Sequence, residues 1–126
     1  MVGLVVVSHS AKAAEGIVEV AAEMGGDTPI EAAGGDGDGV IGTNVDRISD
    51  ALAAADDGDG VVVLVDLGSA VMNAEVAIEM HDGEAVIADS PVLEGAVNAA
   101  VAATDPNATL ESVVEQAEAA ADINKT

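Results

Sequence analysis

The sequence predicts an α/β protein with a three-layer, doubly wound sheet of about four parallel strands, in the order 2-1-3-4, flanked by helices. Two Val-rich apolar runs, Val2–Val7 and Val61–Val65, are bounded by turn residues, which is typical of strands buried on both faces of a parallel sheet. Segments with helical spacing lie between the strand candidates, and this alternation implies right-handed crossovers. The chain of 126 residues therefore fits a single domain, residues 1–126.

The two outer strands are predicted from weaker patterns. Pro29–Ala33 and Glu84–Ala88 are short and mix polar with apolar residues, as edge strands can. In the order 2-1-3-4, the topological switch point lies between strands 1 and 3. We therefore expect the loops that follow these two strands to face each other across a crevice.

Five helices are predicted, each from apolar residues at helical spacing. The first contains Ala14, Ile17, Val18, Ala21 and Met24 and ends at Gly25-Gly26, and the second contains Val45, Ile48, Leu52 and Ala55 behind a Thr43 N-cap. The third begins near Ser69, with Met72, Val76 and Met80 on one face, and the fourth has Pro91 in its first turn and runs through Ala96, Val97, Ala100 and Val101. The last contains Leu110, Val113, Val114 and Ala117.

Composition excludes several classes of function. The chain has no Phe, Tyr or Trp, so it lacks stacking platforms for bases or flavin rings. It has 24 Asp and Glu against 3 Lys and Arg, a net charge of −21, which disfavours nucleic acid and anionic membranes as partners. Because half of the residues are apolar, this charge indicates a solvated, halophile-type surface on a folded core and not disorder.

The same composition sets expectations for chemistry and location. There is no Cys, which removes disulfides, thiolate nucleophiles and cysteine zinc sites. The N-terminus lacks a basic segment of the signal-peptide type, and no apolar run is long enough to span a membrane. We expect a cytoplasmic protein that needs no cofactor and no metal.

His9 is the main candidate for chemistry, because it directly follows the first buried strand. The second buried strand ends at Asp66, so the predicted topology brings His9 and Asp66 together. A carboxylate that accepts from one ring N–H fixes the tautomer and leaves the other ring nitrogen free to attack. Two helix N-termini are expected beside the imidazole, and their free N–H groups suit a phosphoryl group. His9 and Asp66 are thus predicted to be catalytic.

Phosphate-binding residues are predicted around this pair. Ser10, Gly68 and Ser69 are the candidates, although Ser10 and Ser69 have the alternative role of helix caps and Gly68 that of relieving a tight turn. His81 lies at a predicted helix end, where it would complement the helix dipole. The Asp36-Gly37-Asp38-Gly39 segment resembles half a calcium loop but lacks the later ligands, which favours a solvated loop.

Four segments resemble the DhaM family, the phosphotransferase subunits of dihydroxyacetone kinases that use phosphoenolpyruvate, within the mannose-type enzyme IIA group. They are Leu4–Ser10, Ala33–Gly35, Ile41–Thr43 and Val65–Glu75. The resemblance implies that His9 is phosphorylated and that Asp66 is its hydrogen-bonded partner. It also implies a phosphoryl group that arrives from HPr and passes to ADP on the DhaL subunit, which acts with DhaK, and it implies a homodimer.

Two other functions stay open on the residues alone. A sugar-specific mannose-type enzyme IIA would pass the phosphoryl group to an enzyme IIB. A non-catalytic dimeric interaction module could use the same fold without chemistry.

Overall fold

The computed structural model describes residues Met1–Thr126 and contains one parallel sheet between two layers of helices. The elements in chain order are β1 Gly3–Ser8, α1 Ala11–Gly25, β2 Ile30–Gly34, α2 Val45–Ala55, β3 Val61–Val65, α3 Ser69–Met80, β4 Ala85–Ile87, α4 Val92–Ala103, α5 Leu110–Ala119 and a 3-10 helix Ala120–Asp122. The strand order is β2-β1-β3-β4, and all three pairings are parallel. The predicted fold class and strand order are confirmed.

The two hydrophobic cores lie on opposite faces of the sheet because alternate side chains of a strand point in opposite directions. Leu4 and Val6 of β1 lie in the core that also contains residues of α1, α4 and α5. Val5 and Val7 pack against α2 and α3. Both cores consist of Val, Leu, Ile and Ala, as the lack of aromatic residues requires. None of the helices combines the length and the apolar character needed to cross a membrane.

The strand register brings three loops to one edge of the sheet. Ser8 at the end of β1 pairs with Gly34 at the end of β2, and Val7 pairs with Val65 at the end of β3. Gly34 is required here, because a Cβ at this position would lie 2.5 Å from the Ser10 carbonyl oxygen. The residues that follow β1, β2 and β3 therefore meet at the carboxyl edge, where the switch point was predicted.

The apolar face predicted for α3 is not buried. Met72 is 73% exposed and Met80 is 63% exposed, whereas Ala70, Ala74 and Ala77 are fully buried against the sheet. Small side chains let a helix approach a sheet closely, and methionine at these positions would hold it away. On α1, Met24 is likewise exposed, although it shares helical spacing with the buried Ala14 and Ala21.

Several predicted boundaries shift by one or two residues. The N-cap of α2 is Asn44 and not Thr43, because the Asn44 side chain accepts from the Arg47 N–H at 3.0 Å. Pro91 precedes the first turn of α4 as its N-cap. Strand β2 runs one residue further than predicted, to Gly34, and β4 is confined to Ala85–Ile87.

Candidate active site

His9 and Asp66 meet at the carboxyl edge of the sheet. The Nδ1 atom of His9 lies 3.0 Å from Oδ1 of Asp66, and both side chains are 21% exposed. The Asp66 N–H donates to the Val7 carbonyl at 3.1 Å, so backbone pairing of the two central strands holds the two residues at the same level. The other ring nitrogen, Nε2, points away from the carboxylate, so it is the nitrogen expected to act as the nucleophile.

The Asp66 carboxylate is held by donors on both oxygens. Oδ2 accepts from the Ser8 hydroxyl at 2.9 Å and from the His9 backbone N–H at 3.0 Å. Oδ1 accepts from the Leu67 N–H at 2.8 Å as well as from the His9 ring. Burial raises the pKa of the Asp66 carboxyl, but the hydrogen bonds from His9 and Ser8 outweigh burial and hold the pKa below its ordinary value. The carboxylate is therefore ionised and oriented before any ligand binds.

Ser8 has a role that the sequence did not predict, because its position next to His9 suggested only a helix cap or a phosphate ligand. Its side chain is buried, donates to Asp66, and accepts the Ser10 N–H at 3.1 Å. Ser8 thus connects the start of α1 with the carboxylate. Ser8 is the polar end of an otherwise apolar strand, and a buried hydroxyl needs a hydrogen-bond partner. This pattern could have predicted the contact with Asp66.

Ser10 and Ser69 have different roles in the structure. Ser10 is the N-cap of α1, where its Oγ accepts the Ala13 N–H at 3.2 Å. Ser69 does not cap α3, because the N-cap is Gly68 and no side-chain cap bond is made. Instead, the Ser69 Oγ lies 2.8 Å from Nε2 of His9. The hydroxyl therefore touches the nitrogen that would carry the phosphoryl group.

The start of α3 offers backbone donors beside the same nitrogen. The N–H groups of Gly68 and Ser69 have no acceptor within the protein. They project from the positive end of a 12-residue helix, which favours an anion. Gly68 and Ser69 are thus placed to contact a phosphoryl group on Nε2, and their role as phosphate ligands stays a prediction.

Two contacts outside the predicted site fix the loop that follows β2. The Gly42 N–H donates to the His9 carbonyl at 2.9 Å. The Asn73 side chain of α3 donates to the Thr43 hydroxyl at 2.6 Å. The segments Ile41–Thr43 and Val65–Glu75, separate in the sequence, are therefore joined around His9.

The remaining candidates lie elsewhere. His81 is the C-cap of α3, and its Nε2 lies 2.7 Å from Oδ2 of Asp56, at the opposite edge of the sheet. The Asp36 carboxylate accepts N–H groups of its own loop, from Asp38 at 2.8 Å and from Val40 at 3.1 Å. No group of three or more His, Asp or Glu side chains is arranged to hold a metal ion.

This fold and site define a class of protein in which a histidine at the switch point is oriented by an aspartate from the neighbouring strand. Residues 3–116 match the family EIIA-man, described as the PTS system fructose IIA component, and the chain belongs to this family. The resemblance noted from the sequence is confirmed by its relatives.

The chain is similar to DhaM proteins over most of its length. It is 43% identical to the phosphoryl donor subunit DhaM of PEP-dependent dihydroxyacetone kinase 2 from Listeria innocua, over 80% of this chain and 85% of that protein. It is 38% identical to the phosphotransferase subunit DhaM of Lactococcus lactis, over 92% and 93%. Among solved structures, the unknown-function protein EF1359 superposes with a TM-score of 0.80 at 30% identity, over 94% of both chains.

Proposed function

We propose that the chain is the phosphoryl carrier of a dihydroxyacetone kinase, accepting a phosphoryl group on Nε2 of His9 and passing it to the kinase partner. The observation that carries the proposal is the 3.0 Å contact between His9 Nδ1 and the ionised Asp66, which leaves Nε2 as the nucleophile. The relatives named as phosphoryl donor and phosphotransferase subunits of dihydroxyacetone kinases support the same role.

In this mechanism, the Nε2 lone pair of neutral His9 attacks the phosphorus of a donor phosphohistidine in line. The new N–P bond forms as the N–P bond to the donor imidazole breaks, and the donor ring departs with the electron pair. The Nδ1 proton of His9 stays on the bond to Asp66, whose charge stabilises the positive charge that develops on the ring. The Ser69 hydroxyl, 2.8 Å from Nε2, and the free N–H groups of Gly68 and Ser69 then donate to the phosphoryl oxygens.

We further propose that the donor is HPr and the acceptor is ADP held on a DhaL subunit that acts with DhaK. The chain would work as a homodimer in the cytoplasm. The support is the similarity to DhaM proteins and the carrier geometry at His9.

The test is reconstitution with phosphoenolpyruvate, enzyme I and HPr. We expect an acid-labile, alkali-stable label on the wild-type chain and none on His9→Ala. A wild-type chain that takes no label under these conditions would contradict the carrier mechanism and favour a non-catalytic interaction module.

The acceptor is tested with the labelled chain. Transfer to ADP on DhaL, with formation of dihydroxyacetone phosphate when DhaK is added, supports the kinase role. Transfer to an enzyme IIB instead would assign the chain to sugar uptake, the function that the family description as a fructose IIA component suggests.

A further inference from the structure

Two cavities flank the His9–Asp66 site, and they differ in charge. The cavity between the ends of β3 and β4, about 440 Å³, is lined by the carboxylates of Asp66, Glu75 and Asp89. The cavity on the β2 side, about 360 Å³, is lined by Lys12 and Arg47 and by no carboxylate. In a chain with 24 acidic and three basic side chains, a cavity lined by two basic and no acidic side chains is unexpected.

Lys12 and Arg47 are also the two basic side chains without a carboxylate partner. The third, Lys125, pairs with Glu94, and the N-terminal amine pairs with Asp57 and Asp59. No carboxylate oxygen lies within 4.0 Å of a nitrogen of Lys12 or Arg47. Arg47 also lines a cavity with Glu31 and Asp50 but pairs with neither, and two unpaired cations at the cavity beside His9 favour an anion from outside the chain.

The backbone places this cavity directly beside His9. Lys12 lies in the first turn of α1, three residues after His9. The Arg47 Nε donates to the Gly34 carbonyl at 3.1 Å, and Gly34 pairs with Ser8 in the sheet register. The guanidinium is therefore fixed by one nitrogen, and its two terminal nitrogens are left for a bidentate ligand.

Glycines make up half of the remaining wall, beside Val40 and Ile41. Four of the lining residues are glycines, and Gly35, Gly37 and Gly39 have positive φ angles of 73°, 99° and 81°. The two acids of this loop do not line the cavity, and the Asp36 carboxylate is occupied by N–H groups of its own loop. A compact anion could approach this loop closely, because its glycines carry no side chain.

We propose that the Lys12–Arg47 cavity binds a phosphate group that is not itself transferred, and so holds a phosphorylated ligand in place beside His9. The two basic side chains that line the cavity, with no carboxylate beside them, suit a phosphate or diphosphate group. The proposal rests on the proposed carrier function only for the use of the site: the phosphate would belong to the acceptor, because the donor's single phosphoryl group moves to His9. The phosphate could reach the site free in solution or carried by the partner.

The first experiment measures binding of free phosphates to the whole chain. Inorganic phosphate and pyrophosphate are titrated at constant ionic strength, and the amide NMR signals of residues 35–41 are followed. The variants are Lys12→Gln and Arg47→Gln, with Lys125→Gln as the matched control for loss of one charge. Lys12→Gln is the decisive variant, because its exposed side chain makes no hydrogen bond whose loss could disturb the fold.

The second experiment measures phosphoryl transfer with the same proteins. We expect HPr to label His9 at wild-type rates in both variants, whereas the apparent KM for the kinase partner rises on the order of tenfold for each cation removed. Lys125→Gln should leave both steps unchanged. A rise in KM with unchanged labelling distinguishes this site from the machinery of chemistry at His9.

The outcomes distinguish phosphate that is free in solution from phosphate carried by the partner. They also distinguish failure of the phosphate site from failure of the carrier function. Saturable pyrophosphate binding that is weakened by Lys12→Gln and Arg47→Gln shows a site for free phosphates. No binding of free phosphate, with a KM that Lys12→Gln and Arg47→Gln raise and Lys125→Gln does not, supports a site for phosphate carried by the partner. Wild-type behaviour of both variants in both experiments would overturn the site. A wild-type chain that is never labelled would contradict the carrier function, and the titration would still decide on the site.

Discussion

The molecule contains two histidine–aspartate pairs, one at each end of α3. His9 and Asp66 lie at the start of the helix, with Nδ1 and Oδ1 3.0 Å apart. His81 and Asp56 lie at its end, with Nε2 and Oδ2 2.7 Å apart. The two pairs have the same residue types and similar distances, so these features alone do not mark a site for phosphoryl transfer.

The surroundings separate the two pairs. The start of a helix carries about half a positive charge and its end about half a negative charge, so a phosphoryl group is favoured at His9 and disfavoured at His81. Space also differs, because a Cβ on Gly83 would lie 3.0 Å from His81 Nε2 and would overlap the Asp56 carboxylate. The His81 pair is therefore tightly packed, whereas His9 faces a hydroxyl and free N–H groups.

The largest expected effect separates the two histidines. His9→Ala should abolish phosphorylation, whereas His81→Ala should keep labelling and lower the free energy of unfolding by about 1–3 kcal/mol, since the partly buried Asp56 loses a partner. Label incorporation and urea unfolding measure the two effects. Loss of labelling in a folded His81→Ala protein would contradict the assignment of chemistry to one end of α3.

Substitution of the two aspartates should also affect the transfer rate only at the His9 end of α3. Asp66→Asn should slow transfer by about 10²-fold or more, because an amide can present the wrong His9 tautomer and stabilises less positive charge. Asp56→Asn should leave the rate unchanged. Rapid-quench kinetics of phosphorylation by HPr test both variants, and equal rates for Asp66→Asn and the wild type would remove Asp66 from the mechanism.

Ser69 should have a smaller effect, because it acts beside the nucleophile and does not set its tautomer. Ser69→Ala removes the hydroxyl 2.8 Å from His9 Nε2, and we expect transfer to slow by roughly tenfold, the loss of one hydrogen bond to a charged group. The Gly68 and Ser69 N–H groups are unaffected by this change. A loss as large as that of Asp66→Asn would mean that the hydroxyl orients the ring.

Acid should lower the stability that the aspartates at both ends of α3 give to the fold. The pKa of Asp56 is lowered by the Gly58 N–H and then by His81, and that of Asp66 is lowered by His9 and Ser8 against the effect of burial. A carboxyl whose pKa is lower in the folded state stabilises the fold above its unfolded pKa of about 3.9, and this contribution is lost as pH falls through the folded pKa. Unfolding midpoints should therefore fall below about pH 4, and less steeply in Asp56→Asn.

The smallest expected effect is that of salt concentration on stability and phosphoryl transfer. With a charge of −21, the chain repels itself and acidic partners, and screening shortens this repulsion as salt rises. Unfolding midpoints and transfer rates should both rise from about 0.1 to 2 M KCl. Flat or falling values would contradict the halophile-type interpretation of the surface.

The sequence alone determined the fold class, the strand order and the meeting of His9 with Asp66. These follow from Val-rich runs that suit buried parallel strands, and from the rule that the ends of neighbouring parallel strands share one edge. Two polar residues that directly follow such runs were therefore predictable partners.

Only the tertiary structure decided which contacts complete the site. The buried link through Ser8, the placement of Ser69 on Nε2 and the exposure of Met72 all depend on side chains from different elements. The spacing of apolar residues shows which of them share one face of a helix, but it carries no information on how closely a neighbouring element packs against that face. The unpaired Lys12 and Arg47, 35 positions apart in the sequence, line one cavity only because α1 and the end of β2 lie close together, an approach that Gly34 allows.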